Sequence, residues 1–291
     1  MLVLVHINLF PKLLIYLNMK LREILVIKIG KSLRGDGFIS RNFRKIVFAL
    51  MHGIKGFEFS YFSDRNGEHE LLDKQLIKSC SNKKYIVFDG GSNRGDYSND
   101  IVLRFEKNNI KNYEIHLFDI DCNMIEKCKK RFSHNKRILI NNFGLDRKSD
   151  TSKAIFYPDD STRNSLLGTP IELDWEYFEK EIITTTGNEY CKKNNINFIN
   201  FLKLDLEGFD LDALNGFEDL FKDKKIEFVQ FEYTHRALDR RILLRDFYEF
   251  FKKYGYEIGF IRKNGLKPIT KFYPQYNDWK LGPNFYAKPV N

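Results

Sequence analysis

Residues 85–97 read YIVFDGGSNRGDY. An apolar run stops on Asp89, and Gly90, Gly91 and Gly95 come directly after it. Short β-branched and aromatic runs bounded by turn residues read as strands. Glycines at such an end let the backbone approach a ligand closely, and the next helix N-terminus offers free N–H groups. The spacing then limits the ligand. A dinucleotide turn needs G-x-G-x-x-G, whereas the pattern here is Gly91-x-x-x-Gly95 with Gly90 added. No Gly-Lys-Ser/Thr follows, which excludes a phosphate-binding P-loop. Asp89 is a second objection to phosphate, because a carboxylate beside a pyrophosphate costs Coulomb energy.

S-adenosylmethionine fits this turn better. It has no phosphate, and its methionine part carries an ammonium beside a positive sulfonium. Asp89 is expected to face that cationic end, with Gly91 and Gly95 clearing space. A second apolar run, HLFDID (116–121), ends in Asp119 and Asp121, and an acid at that place can hold both ribose hydroxyls. NNFGLD (141–146) puts Asn142 and Gly144 where an adenine would lie. Taken singly, a tight turn explains the glycines and a helix cap explains Asp89. Acids at the ends of two successive strands favour the ligand.

From residue 85 onward, apolar runs alternate with amphipathic stretches. Strands are expected over 85–89, 114–120, 137–142, 200–206, 227–232, 256–261 and 284–289, with helices over 97–109, 123–132, 210–222 and 242–254. This rhythm predicts an α/β fold, a mostly parallel seven-stranded sheet with helices on both faces. Ligands of such sheets bind beyond the carboxyl ends of the strands. Residues 1–82 break the rhythm and read as a basic, mainly helical N-terminal extension to a domain over 83–291. Residues 150–180, with Trp175, Tyr177 and Phe178, read as an insertion or lid over the site.

The chain has 291 residues, 43% of them hydrophobic, a net charge of +9 and a pI near 9.1. Residues 20–55 hold nine Lys or Arg against Glu23 and Asp36, a local balance of +7. Such a segment suits peripheral contact of residues 1–55 with an anionic membrane, a phosphorylated glycan or nucleic acid. The N-terminal run MLVLVHINLFPKLLIYLNMKL lacks a basic n-region and a small-residue cleavage site. His6, Asn8, Pro11 and Lys12 interrupt it short of the ~20 apolar residues that span a bilayer. Met19 is an alternative start. Cys80, Cys122, Cys128 and Cys191 form no CxxC pair, which points to reduced thiols and a cytoplasmic location, extending to the inner membrane face.

Over residues 66–260 the chain resembles the FkbM-type S-adenosylmethionine-dependent methyltransferases, whose fold is Rossmann-like and class I. NGEHELL (66–72) is similar to the segment before the family's first strand, and FDGGSNRGDY (88–97) to its Asp-x-Gly-x-Asn-x-Gly pattern. FDI (118–120) stands where the family has Phe-Glu-Pro, and STRNSLL (161–167) resembles its Ser-rich segment. FLKLDLEGFDLDAL (201–214) matches Lys-x-Asp-x-Glu-Gly-x-Glu-x-x-x-Leu, with Asp210 for the last Glu. The resemblance implies cofactor contacts at Glu68, Asp89, Gly91, Ser92, Asn93, Gly95, Asp96, Asp119, Ile120, Asn142, Gly144, Ser165 and Asp205. It also implies O-methyl transfer to sugars of cell-surface glycans or to secondary metabolites.

Methyl transfer from a sulfonium is an in-line displacement, so positioning matters and a base helps a hydroxyl acceptor. Strand alternation puts Lys203, Asp205 and Glu207 on one side of the fourth strand. Three charges on one face are costly unless paired or functional. A structural Lys203–Asp205 pair is one reading; Asp205 and Glu207, nearer the strand end, are the candidates for acceptor or cofactor contact. After the fifth strand, FEYTHRA (231–237) supplies Glu232 and His235, and His235 is the candidate general base. Asp205, Glu232 and His235 are types that can bind a divalent cation, although no metal is assigned. The expected acceptor is a saccharide, lipid-linked or nucleotide-linked, or another small hydroxyl compound. Nucleic-acid methylation is the alternative enzyme class, but KLDLEG lacks the Pro-Pro-aromatic platform that presents a base. A non-catalytic S-adenosylmethionine-binding module is a third reading. Oligomeric state is left open.

Overall fold

The computed structural model describes residue 24 and residues 38–54, 66–77, 84–166, 176–278 and 284–290. The N-terminal stretch 1–23, Cys80 and Trp175 lie outside the described residues. Backbone contacts divide the chain into two units, 1–56 and 57–291. In the first unit the described helix is α1, Phe38–Ile54.

The second unit opens with α2, Glu68–Leu71, which runs into a π-helical turn over Leu72–Leu76. Leu71, Leu72 and Leu76 are buried in one apolar cluster with Val87, Ile101 and Phe105. These residues therefore pack as part of the core of the second unit. The expected alternation follows: β1 (Tyr85–Gly90), α3 (Asp96–Lys107), β2 (Tyr113–Phe118), α4 (Cys122–Arg131) and β3 (Ile138–Asn141). A second, four-stranded sheet interrupts it, made of β4 (Gly144–Leu145), β5 (Asp150–Phe156), β6 (Ser165–Leu166) and β7 (Phe178–Thr185) in the order β4-β7-β5-β6. The chain then returns through α5 (Gly187–Lys193), β8 (Ile199–Leu204), α6 (Asp210–Gly216), α7 (Glu218–Lys222) and β9 (Ile226–Glu232). It closes with α8 (His235–Asp239), α9 (Leu244–Lys253), β10 (Tyr256–Arg262), β11 (Gly265–Pro268) and β12 (Asn284–Pro289).

The main sheet runs β11-β10-β12-β9-β8-β1-β2-β3. Strands β9, β8, β1, β2 and β3 are mutually parallel, and β12, β10 and β11 are antiparallel to their neighbours. The fold is the expected Rossmann-like α/β sheet with helices on both faces, with one strand more than the seven expected. The extra strand, β11, pairs with β10 across a turn at Lys263 and Asn264, and its first residue, Gly265, takes φ +113°. Central strand β1 is buried on both faces, as parallel strands are. Tyr85 and Val87 point into the layer with Phe105 of α3 and Cys128 of α4, while Phe88 points into the layer with α5, α6 and α9.

The helix expected over 210–222 divides into α6 and α7. At its break, a Cβ on Gly216 would stand 2.2 Å from the Asp146 carbonyl oxygen, so glycine permits the close pass of the β4 end. The turn after β1 is tighter still. Gly91 takes φ +73°, and a Cβ there would stand 1.9 Å from the Asp205 carbonyl oxygen. Gly91→Ala should therefore combine backbone strain with overpacking and cost about 2–5 kcal/mol of stability in urea unfolding. A loss below 1 kcal/mol would contradict this close approach.

Candidate functional site

Three adjacent strands carry a row of polar side chains beneath the carboxyl ends of the sheet. Asp89 on β1, Lys203 on β8 and Gln230 on β9 are register neighbours. Asp89 is fully buried and Lys203 is 6% exposed. The Lys203 Nζ lies 3.2 Å from Asp89 Oδ1 and 3.4 Å from Asp205 Oδ2, over the Tyr97 ring. Ser98 Oγ donates to Asp89 Oδ2 at 2.6 Å. Tyr97 donates its hydroxyl to Gln230 Oε1 at 2.5 Å, and Gln230 Nε2 donates to Glu68 Oε1 at 2.7 Å. Burial alone would lower the Lys203 pKa, but Asp89, Asp205 and Glu68 outweigh it and raise it. Burial pushes the Glu68 carboxyl up.

Two of the expected cofactor contacts sit in this network. Asp89 shares its strand face with Val87 and points under α3 toward Ser98 and Lys203. Glu68 is likewise turned to Gln230 and Asn66. Neither lines the cavity above.

That cavity holds about 520 Å³ and lies at the carboxyl ends of β1, β2, β3 and β8, within the usual range for small-molecule sites. Gly91, Asn93 and Asp96 line it from the first turn, Asp119 and Ile120 from the second, Phe143 and Gly144 from the third. The amides of Gly91 and Ser92 donate to the Phe118 carbonyl at 2.9 and 3.0 Å, which pins the turn to β2. Asp119 Oδ2 accepts from the Asn93 amide at 2.7 Å and Oδ1 from the Asp121 amide at 2.8 Å. Each oxygen keeps a further acceptor site for a ligand hydroxyl. Burial pushes the Asp119 pKa up to about 6 against those two donated bonds. Ser92 is buried, Gly95 packs against Phe132 with φ +78°, and Asn142 holds the Asp119 carbonyl at 3.0 Å. These three shape the turns and do not line the cavity.

The far wall is acidic. Strand β8 ends at Leu204, so Asp205 and Glu207 belong to the following turn, and strand alternation does not govern them. Glu207 and Gly208 take left-handed φ values of 52° and 94°, a strain of the kind that gathers at functional sites. Asp205 and Glu207 both line the cavity, and Ser165 Oγ donates to the Glu207 carbonyl at 3.1 Å. Asp205, Glu207 and Glu232 each bring a carboxylate oxygen within 4.8 Å of the others. Burial and these like charges raise the pKa of Glu207 and Glu232, while Arg236, at 2.8 Å from Glu207, opposes the rise. Asp210, fully buried, is pushed up to about 7 chiefly by burial. The three clustered carboxylates are the donors a divalent cation would find, with Glu207 in the place given to His235 by the sequence. His235 opens α8, half-buried, and does not line the cavity.

Sequence reasoning missed Phe143, Leu206 and Phe209, which supply the apolar walls, and Met124, Lys127 and Arg94 at the rim. It also missed Asn164. That side chain donates to the Asp121 cap of α4 at 2.8 Å and accepts from the Tyr157 amide at 2.9 Å, tying the 161–166 segment over the cavity. Phe143 was the most legible of these, lying between two residues already singled out.

A family model described as the methyltransferase FkbM domain matches residues 89–258. The chain belongs to the FkbM methyltransferase family. The family implies S-adenosylmethionine as methyl donor, and the acidic cavity and the Asp119 acceptor pair fit it. An FkbM methyltransferase from Methylobacillus flagellatus is similar in structure at 16% identity and a TM-score of 0.46, over 77% of this chain and 48% of that one. The chain thus spans about half that protein's length. A TehB-like S-adenosylmethionine-dependent methyltransferase from Corynebacterium glutamicum is 13% identical, with a TM-score of 0.35 over 85% of this chain and 95% of that one. An S-adenosylmethionine-dependent O-methyltransferase from Thermotoga maritima is 8% identical, with a TM-score of 0.37 over 83% and 70%. No curated protein matches the chain.

Lys203 gives the site its sharpest test. Lys203→Met removes the buried cation beside Asp89 and should cost about 3–5 kcal/mol in urea unfolding. The double variant Lys203→Met/Asp89→Asn should be more stable than that single variant, because no uncompensated charge is left in the interior. Equal destabilisation in both would show that packing, and not the ion pair, sets the loss.

Proposed function

We propose that this methyltransferase moves a methyl group from S-adenosylmethionine to a hydroxyl of a saccharide, within a cell-surface glycan or its lipid-linked or nucleotide-linked precursor. The observation that supports O-methyl transfer most directly is the acidic far wall, where Asp205 and Glu207 line the same cavity as Asp119. When bound, S-adenosylmethionine supplies an electrophilic methyl group on a sulfonium. Asp119 accepts from the paired ribose hydroxyls, and Phe143 and Gly144 leave a flat apolar slot. At the acidic wall, crowding and burial give Glu207 a raised proton affinity, which suits a base that takes a hydroxyl proton as the new bond forms. Asp205, held toward Lys203, fixes the orientation of that end. Carboxylates that accept from neighbouring hydroxyls also suit a sugar acceptor.

Two measurements test this reading. Asp119 must be ionised to accept both hydroxyls, and burial pushes its pKa up to about 6. Cofactor affinity by calorimetry should therefore rise about tenfold between pH 5 and 7 and stay level above that. Asp119→Asn should bind weakly with no such rise, and an unchanged pH profile in that variant would remove Asp119 from the cofactor site.

For the acceptor, labelled methyl transfer is measured against nucleotide sugars, lipid-linked oligosaccharides and RNA. Transfer to a saccharide is expected, with Glu207→Gln losing about 10²–10⁴ in turnover and His235→Ala only a few-fold. Transfer to RNA alone would overturn the saccharide assignment. A larger loss in His235→Ala than in Glu207→Gln would return the base to His235.

A further inference from the structure

Helix α1 carries an apolar face that stands open to solvent. Phe43, Ile46, Val47 and Leu50 fall at helical spacing on one side and are 42%, 55%, 37% and 57% exposed. Side chains of this kind are ordinarily the ones a globular fold buries. The same helix holds no acid at all, and Arg41, Arg44 and Lys45 are exposed around the rest of its circumference. The surrounding segment, residues 20–55, keeps nine Lys or Arg against two acids.

Three occupants compete for such a face, and charge separates them. A second copy would bring the two strongly basic segments together, so like charges would oppose the contact. Nucleic acid would satisfy the cations but leave the aromatic and aliphatic stripe without a partner. An anionic bilayer satisfies both, with the apolar face at the acyl boundary and the cations among the headgroups. The helix lies on the surface and does not cross it, since no described helix is long and apolar enough to span a membrane.

We propose that α1 is an interfacial helix that docks the protein on an anionic lipid surface through Phe43, Ile46, Val47 and Leu50, with Arg41 and Lys45 beside the headgroup phosphates. The proposal is independent of the methyl-transfer reading, because it concerns a different unit of the chain and needs no acceptor.

The full-length protein is sedimented with vesicles of phosphatidylcholine alone or of phosphatidylcholine with phosphatidylglycerol. Binding is expected to the mixed vesicles, weakening steeply as salt is raised. Phe43→Ser/Leu50→Ser should lose at least tenfold in partitioning. Arg41→Gln/Lys45→Gln should lose about thirtyfold, at about fivefold per cation, and this pair keeps the test valid if the apolar pair impairs folding. Equal binding to both vesicle types, no binding to either, or undiminished binding by the variants would overturn the proposal. So would a concentration-dependent dimer in light scattering that Phe43→Ser/Leu50→Ser abolishes, which would give the face to a second copy.

Discussion

One buried ammonium, that of Lys203, holds the centre of the second unit in register with its cavity. It reaches Asp89 at the end of β1 and Asp205 in the turn beyond β8, at 3.2 and 3.4 Å. Glycine turn and acidic turn are thereby joined by a single charge, at the point where the backbones of Gly91 and Asp205 already come into contact. An ion this deep in the sheet is costly unless its geometry is satisfied on every side. Here Ser98 completes Asp89, Tyr97 lies under the ammonium, and Gln230 passes the network to Glu68. The floor of the cavity is set by this network, of whose named members Asp205 lines the cavity and the others lie beneath it.

Above this network the backbone is strained. Glu207 takes a left-handed φ that glycine would adopt more readily. Arg236 on its carboxylate and Ser165 on its carbonyl fix it there. Ser165 belongs to the smaller sheet and Arg236 to α8, so two separate elements converge on one strained residue. The insertion over 150–180 accordingly contributes to the wall of the site through Ser161–Leu166, and Asn164 ties it to the cap of α4.

The central strands were legible because parallel strands buried on both faces read as continuous apolar runs, as YIVF does. Asp119 was legible for a related reason: a charge directly after such a run leaves the sheet where its strands end. Asp89 obeyed a different constraint. It is still within β1, so its direction follows strand parity with Val87, and that parity turns it toward Ser98 and Lys203. The smaller sheet was opaque because DTSKAIF and FEKEIITT are mostly exposed, and half-solvated strands carry no long apolar signal. Strand β11 had a signal that went unused, Gly265 directly after the Lys263–Asn264 turn, where a φ of +113° favours glycine. Glu207 and Glu232 came together through a turn and a neighbouring strand. No spacing along the chain encodes such a meeting.

The charge of the cavity also bears on the choice among acceptors. Asp205, Glu207, Asp210 and Glu232 crowd the far wall, with Lys203 and Arg236 as the cations beside them. A phosphodiester brought within 4 Å of one such carboxylate in its ionised form meets about 4 kcal/mol of repulsion at the effective dielectric of a protein surface. A neutral polyhydroxylated ring meets none and offers the donors those carboxylates lack. The basic surplus of the chain lies in residues 20–55, in a different unit from this wall. The neutral acceptor group proposed for the acidic wall meets no such repulsion.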